Sequence, residues 1–224
     1  MDATTSADRG PVWLDGVVAL AGGFPLLAET SLDIATGEVV VVDGPNGAGK
    51  TSLLRVCAGL IPIARGHGEI AGCDLHRQRD QIRRRVGFLG HHNGLYGDLT
   101  AAENIALWGA LVAATDHEIA LAQHRLGLGG RLATTPAGDL SAGQQRRTAL
   151  ACLMVRRAEL WLLDEPYAGL DATARDEVDA LIGDAGDAGV TVIVASHDPV
   201  LVSGRPDRWL TMVGGRVVDE RTRP

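Results

Sequence analysis

The chain has 224 residues, 46% apolar and 22% charged, enough for one large α/β core and with no room for a long disordered tail. A formal net charge of −7 gives no general attraction to nucleic acid or to an anionic lipid surface, so no nucleic-acid partner is expected. The longest apolar runs, from Gly16 and from Ile105, fall short of the roughly 20 residues of a spanning helix. The N-terminus lacks the basic start and apolar run of a signal peptide, and the chain is not expected to cross a membrane by itself.

In chain order, "MDATTSADRG" is small and polar and is expected to be disordered, ahead of a single domain over residues 11–220. The residues up to about 40, and "GEIAG" at 68–72, read as short antiparallel strands flanking a core. "EVVVVDG", "VGFLG", "LWLLDEP" and "VTVIVASH" are apolar, β-branched runs that end in Gly, Pro or a polar residue, as strands buried on both faces do. Helical patterns separate them: "KTSLLRVCAGL", then "TAAENIALWGALVAA" with Thr100 and Glu103 spaced as a capping box, then a stretch beginning at Asp171. Strand and helix alternate, which predicts a parallel sheet. The segment of about 98–157 breaks the alternation with helix patterns and no strand, and reads as an inserted helical subdomain. "HRQRDQIRRR" at 76–85 has five arginines and one acid and reads as a solvated helix face, with docking on a partner's acidic loop as the alternative. Cys57, Cys73 and Cys152 lie far apart and read as reduced core thiols, the alternative being zinc near Cys73, His67 and His76.

"GPNGAGKT", from Gly44 through Pro45, Asn46, Gly47, Ala48, Gly49 and Lys50 to Thr51, follows a strand and opens a helix whose next residue is Ser52. In that context the glycines let backbone N–H groups converge on phosphate oxygens, at a helix N-terminus whose dipole favours anions. Lys50 is spaced to reach the terminal phosphates of ATP, and Thr51 to put its hydroxyl on Mg²⁺. "LWLLDEP" ends a buried strand in two acids, for which packing has no use, so an ion at the strand's carboxyl end is the simplest explanation. Asp164 then holds the Mg²⁺ and Glu165 is the candidate base. "LSAGQQRR" sets Ser141, Gly143 and Gln144 at a helix start, a second anion-binding element.

These elements occur in a fixed order: phosphate loop, "LSAGQ", acidic strand end, "AGLD" at 168–171, then His197 after "VIVAS". In that order the chain resembles the ATP-binding cassette ATPases, from about Val12 to Val218. The resemblance implies an α/β P-loop NTPase fold, with a RecA-like core, an antiparallel β subdomain and an inserted α-helical subdomain. It implies a nucleotide-dependent head-to-tail homodimer. Ser141 and Gly143 of one copy would face the γ-phosphate held by Lys50 of the other, with Asp171 at the interface and His197 on the γ-phosphate. It also implies a multispanning membrane subunit as partner and a peripheral place on the cytoplasmic face of the membrane.

Two positions depart from the family. Where it has a Mg²⁺-sensing glutamine after the strand "VGFLG", this chain has His91, followed by His92, which either shares the role or is a polar residue at a strand end. "GPNGAGKTSLLRVCAGL", "GDLTAAENI", "LSAGQQRR" and the histidine are together similar to the ATP-binding subunit of the haem exporter of cytochrome c maturation. Where the family stacks an aromatic ring on adenine, this chain has Ala21, with Phe24 nearby. The competing readings are a cassette ATPase for another cargo, a soluble cassette ATPase of repair or translation, and a small-molecule P-loop kinase. The absence of coiled-coil insertions and basic linkers argues against the second, and "LSAGQ" with Glu165 against the third.

Overall fold

The computed structural model describes residues 9–197 and 206–223; most of the expected disordered start lies outside them. Strands β1 (Val12–Ala21), β2 (Phe24–Ile34), β4 (Ile63–Ile70) and β5 (Cys73–Asp74) form an antiparallel sheet in the order β2-β1-β4-β5. A six-stranded sheet runs β10-β9-β3-β8-β7-β6. Its members are β3 (Val39–Asp43), β6 (Val86–Leu89), β7 (Leu160–Asp164), β8 (Thr191–Ala195), β9 (Arg208–Val213) and β10 (Arg216–Thr222). All neighbours in it are parallel except the β9-β10 hairpin.

The continuous apolar runs are explained by burial on both faces: every residue of β3, β7 and β8 is buried. Alternate residues serve opposite layers. Val40, Val42, Leu162 and Ile193 pack with Leu53 and Leu54 of α1 (Lys50–Cys57). Val41, Leu163 and Val194 pack with Leu150 and Leu153 of α5 (Ala142–Val155) and with Val178 and Ile182 of α6 (Ala172–Asp187). Between β6 and β7 lie α3 (Ala101–Ala110), α4 (Asp116–Arg125) and α5, with 3-10 turns at Leu132–Thr134 and Ala137–Asp139. An isolated bridge, Thr100 to Pro136, is the only strand-like pairing among the described residues of that segment.

The remaining helix, α2 (Arg79–Arg85), buries Ile82 alone, and Arg83 and Arg85 donate to the carbonyls of Gly59 and Ala71. All three cysteines are buried free thiols, and burial pushes the thiols of Cys57 and Cys152 up to about 12. The β9-β10 hairpin lies outside the strands that the apolar runs pick out. Its signal is Gly214-Gly215 between two alternating stretches, a two-residue hairpin turn. No helix among the described residues is long and apolar enough to cross a membrane.

Candidate nucleotide site

Because β3, β6, β7 and β8 are parallel, the residues that follow them emerge at one edge of the sheet. The phosphate loop follows β3, His91 follows β6 by one residue, Asp164 and Glu165 close β7, and His197 follows β8. This topology brings distant motifs together around a cleft of about 630 Å³, lined by Asn46 to Ser52, His91, Asp164, Glu165, Pro25, Leu26, Gly214 and Gly215.

The loop is held open from below. Gly44 has φ of 135°, and a Cβ there would lie 2.2 Å from the carbonyl oxygen of Met212, so only glycine fits. Lys50 Nζ donates to the carbonyls of Gly44, at 2.6 Å, and Pro45, at 3.3 Å, so both residues hold the lysine in the loop. From the hairpin turn, Gly215 N–H donates to the Ala48 carbonyl at 2.8 Å, and its own carbonyl accepts from Ala28 N–H and the Thr30 hydroxyl. This tie across the sheet makes Gly214-Gly215 a wall of the cleft.

At the cleft's floor the Thr51 hydroxyl donates to Asp164 Oδ1 at 3.1 Å. Burial, at 5% exposure, pushes the Asp164 carboxyl above its usual range; the Thr51 hydrogen bond opposes this and the Glu165 charge adds to it. Next to it, Glu165 adopts φ of 51°, the left-handed region that a non-glycine residue enters at a cost. Its N–H donates to the Ala195 carbonyl at 2.9 Å, which joins the ends of β7 and β8. Glu165 Oε1 lies 2.9 Å from both the main-chain N and the Nδ1 of His197.

The other half of the expected site lies elsewhere. Ser141, Gly143, Gln144 and Asp171 line a separate hollow with Gly169 and Glu177, outside the Lys50 cleft. Ser141 and Gln144 cap α5 reciprocally: the Ser141 hydroxyl accepts from Gln144 N–H, and the Gln144 side chain accepts from Ser141 N–H. Gly143 packs against the loop before α6, where a Cβ would sit 2.7 Å from the Gly169 carbonyl oxygen. Asp171 is itself the N-cap of α6, accepting from Ala174 N–H at 2.9 Å. Phe24 is 77% exposed beside Pro25 and Leu26 at the cleft's rim, paired across the hairpin with Ala21. His91 and His92 meet edge to face with ring centres 5.5 Å apart.

A family model described as ABC transporter matches residues 27–168. The chain belongs to that family. The chain is therefore an ATPase subunit of a membrane transporter. It is 39% identical over 172 residues to the cytochrome c biogenesis ATP-binding export protein CcmA of Shewanella sp. (strain MR-7), covering 77% of this chain and 79% of that protein. To the protein of the same description in Rhodopseudomonas palustris (strain BisB5) it is 34% identical over 199 residues, covering 88% and 98%. Among solved structures it superimposes on a dimeric ATP-binding cassette in a post-hydrolysis state, bound to ADP and Pi, with a TM-score of 0.85 and 26% identity over 94% of this chain and 98% of that one.

One residue inside "LSAGQQRR" had no role assigned by the motif. Arg146 is 3% exposed, and its guanidinium reaches the carbonyls of Gly90, just after β6, and Glu165, just after β7. The signal for it was its place on the buried stripe of α5, three and four residues ahead of Ala149 and Leu150.

Proposed function

We propose that this chain is the ATP-hydrolysing subunit of an exporter that serves cytochrome c biogenesis, with haem as its cargo. In this reading, the Asn46–Ser52 loop cradles the ATP phosphates, Lys50 leaves the carbonyls of Gly44 and Pro45 for the terminal phosphates, and Phe24 replaces Ala21 as the adenine-stacking residue. A hydroxyl and a carboxylate 3.1 Å apart are a hard oxygen pair that suits Mg²⁺, so Thr51 and Asp164 would hold the ion. Bound there, Mg²⁺ would neutralise charge on the phosphates. Glu165 draws the proton from the attacking water, and His197, paired with it, contacts the γ-phosphate. Ser141, Gly143, Gln144 and Asp171 act on the nucleotide of a second, head-to-tail copy, and His91 stands in for the sensing glutamine. The pair of copies sits on the cytoplasmic face of the membrane against a multispanning subunit.

The observation that carries this reading is the pairing of His197 with Glu165, which lines the same cleft as Lys50. The cargo is supported by the 39% identity to a cytochrome c biogenesis export protein. In Lys50→Ala, neutral backbone donors alone would face the phosphates. Turnover should be abolished and ATP binding weakened, and a host carrying only this variant should lose its c-type cytochromes. Unchanged ATPase activity would overturn the phosphate-loop reading, and normal c-type cytochromes in a host lacking the gene would overturn the cargo.

A further inference from the structure

Arg146 projects from the second turn of α5 into the space between two strand ends. Its Nε donates to the Pro166 carbonyl at 3.3 Å, its Nη1 to the Gly90 carbonyl at 2.8 Å and Asn93 Oδ1 at 3.0 Å, and its Nη2 to the carbonyls of Asp164 and, at 2.7 Å, Glu165. An arginine has five N–H donors in a fixed fork, and here each meets an acceptor. All five acceptors are neutral, so this buried cation has no carboxylate in contact to offset the loss of water. Burial pulls the guanidinium down to about 10, with Asp164 and Glu165 holding it up from a distance, and it stays charged at neutral pH.

Joining α5 to the core does not require such a group, because Ala149, Leu150 and Leu153 already pack there with Leu163 and Trp161. What the fork adds is geometry. It takes the carbonyls of three successive residues, Asp164, Glu165 and Pro166, and so fixes the peptides on both sides of the left-handed Glu165. With the same plane it holds Gly90 and Asn93, the residues that bracket His91 and His92.

We propose that Arg146 is a positioning residue for hydrolysis, fixing the Glu165 backbone and the His91–Asn93 loop as one unit and so aiming the Glu165 carboxylate. The proposal rests on the reading of Glu165 as the base. A lysine keeps the charge but has three donors at one point and cannot span both loops. A glutamine keeps a donor and loses both charge and span.

The test is steady-state ATPase kinetics of purified Arg146→Lys and Arg146→Gln, with nucleotide affinity measured beside them. Both should lose kcat by roughly 10²-fold while KM for ATP changes by less than about threefold, because a misaimed group costs rate and the phosphate loop is untouched. In a Glu165→Gln background, Arg146→Lys should add less than about twofold, since residues acting through one group are not additive. Asn93→Ala, which leaves one N–H of the fork without its acceptor and removes nothing from the core, should cost about tenfold in kcat, and it keeps the question open to measurement if the arginine variants do not fold. Wild-type kcat in Arg146→Lys or in Asn93→Ala overturns the proposal, as does an equal fold loss in the Glu165→Gln background. An active Glu165→Gln enzyme overturns both readings. An inactive Glu165→Gln beside a fully active Arg146→Lys overturns this one alone.

Discussion

Asp164 is held where its charge costs stability. Its carboxyl is raised above the unfolded value of 3.8, first by burial and then by the Glu165 charge, with the Thr51 hydrogen bond opposing. The sign follows from linkage: folding favours the protonated form, so the penalty is absent below the unfolded value and grows as pH rises through the folded one. Asp164→Asn removes that penalty, keeps an oxygen for the Thr51 hydroxyl and loses the charge that would hold Mg²⁺. In nucleotide-free protein at neutral pH, calorimetry should give a higher Tm for Asn, by roughly 2–4 °C per kcal/mol relieved, alongside lost ATPase activity. An unchanged or lower Tm would contradict it. At His91, a neutral hydrogen-bonding side chain is what the sensing role requires. His91→Gln should keep substantial ATPase activity and His91→Ala should not, while His92→Gln should leave the rate unchanged. Equal rates in His91→Gln and His91→Ala would return His91 to an ordinary strand-end residue. That Lys50, Thr51 and Asp164 come together was legible because each is placed by its spacing next to a strand. The left-handed backbone of Glu165 and the burial of Arg146 were not, because each depends on a carbonyl delivered by a different strand.

Elements were most legible where their signals are local. Thr100 and Glu103 form the capping box that their spacing predicts, at the start of α3. The four apolar runs are the parallel strands β3, β6, β7 and β8. The β9-β10 hairpin was missed because "RWLTMV" reads as a mixed run until its Gly214-Gly215 turn is weighed, and its contact with the phosphate loop is wholly tertiary. The start of α5 makes a sharp prediction. Gly143 leaves no room for a side chain against the Gly169 carbonyl. Gly143→Ala should displace the α5 N-terminus from the loop before α6, costing about 1–3 kcal/mol of stability, as overpacking does. It should also slow ATPase activity while leaving ATP binding in the Lys50 cleft intact. Chemical denaturation, ATPase assays and nucleotide titration separate the three. Loss of ATP binding in Gly143→Ala would contradict the separation of hollow and cleft.

In the whole molecule, that separation is the main fact. One chain puts Lys50, Thr51, Asp164 and Glu165, with His197 paired to Glu165, around one cleft and Ser141, Gly143, Gln144 and Asp171 around another, so a single copy does not bring the two sets onto one nucleotide. Chain order made both sets legible as motifs, and the resemblance alone supplied their pairing between copies. If the base is Glu165, its amide keeps shape and hydrogen bonding but cannot take a proton, so the nucleotide is bound and not spent. The most direct measurement is ATP turnover by purified Glu165→Gln beside the wild type, with ATP binding confirmed in the same preparation. Turnover should fall by roughly 10²–10⁴-fold with binding intact, the range expected on loss of a general base. Turnover at the wild-type rate would contradict the account at its centre.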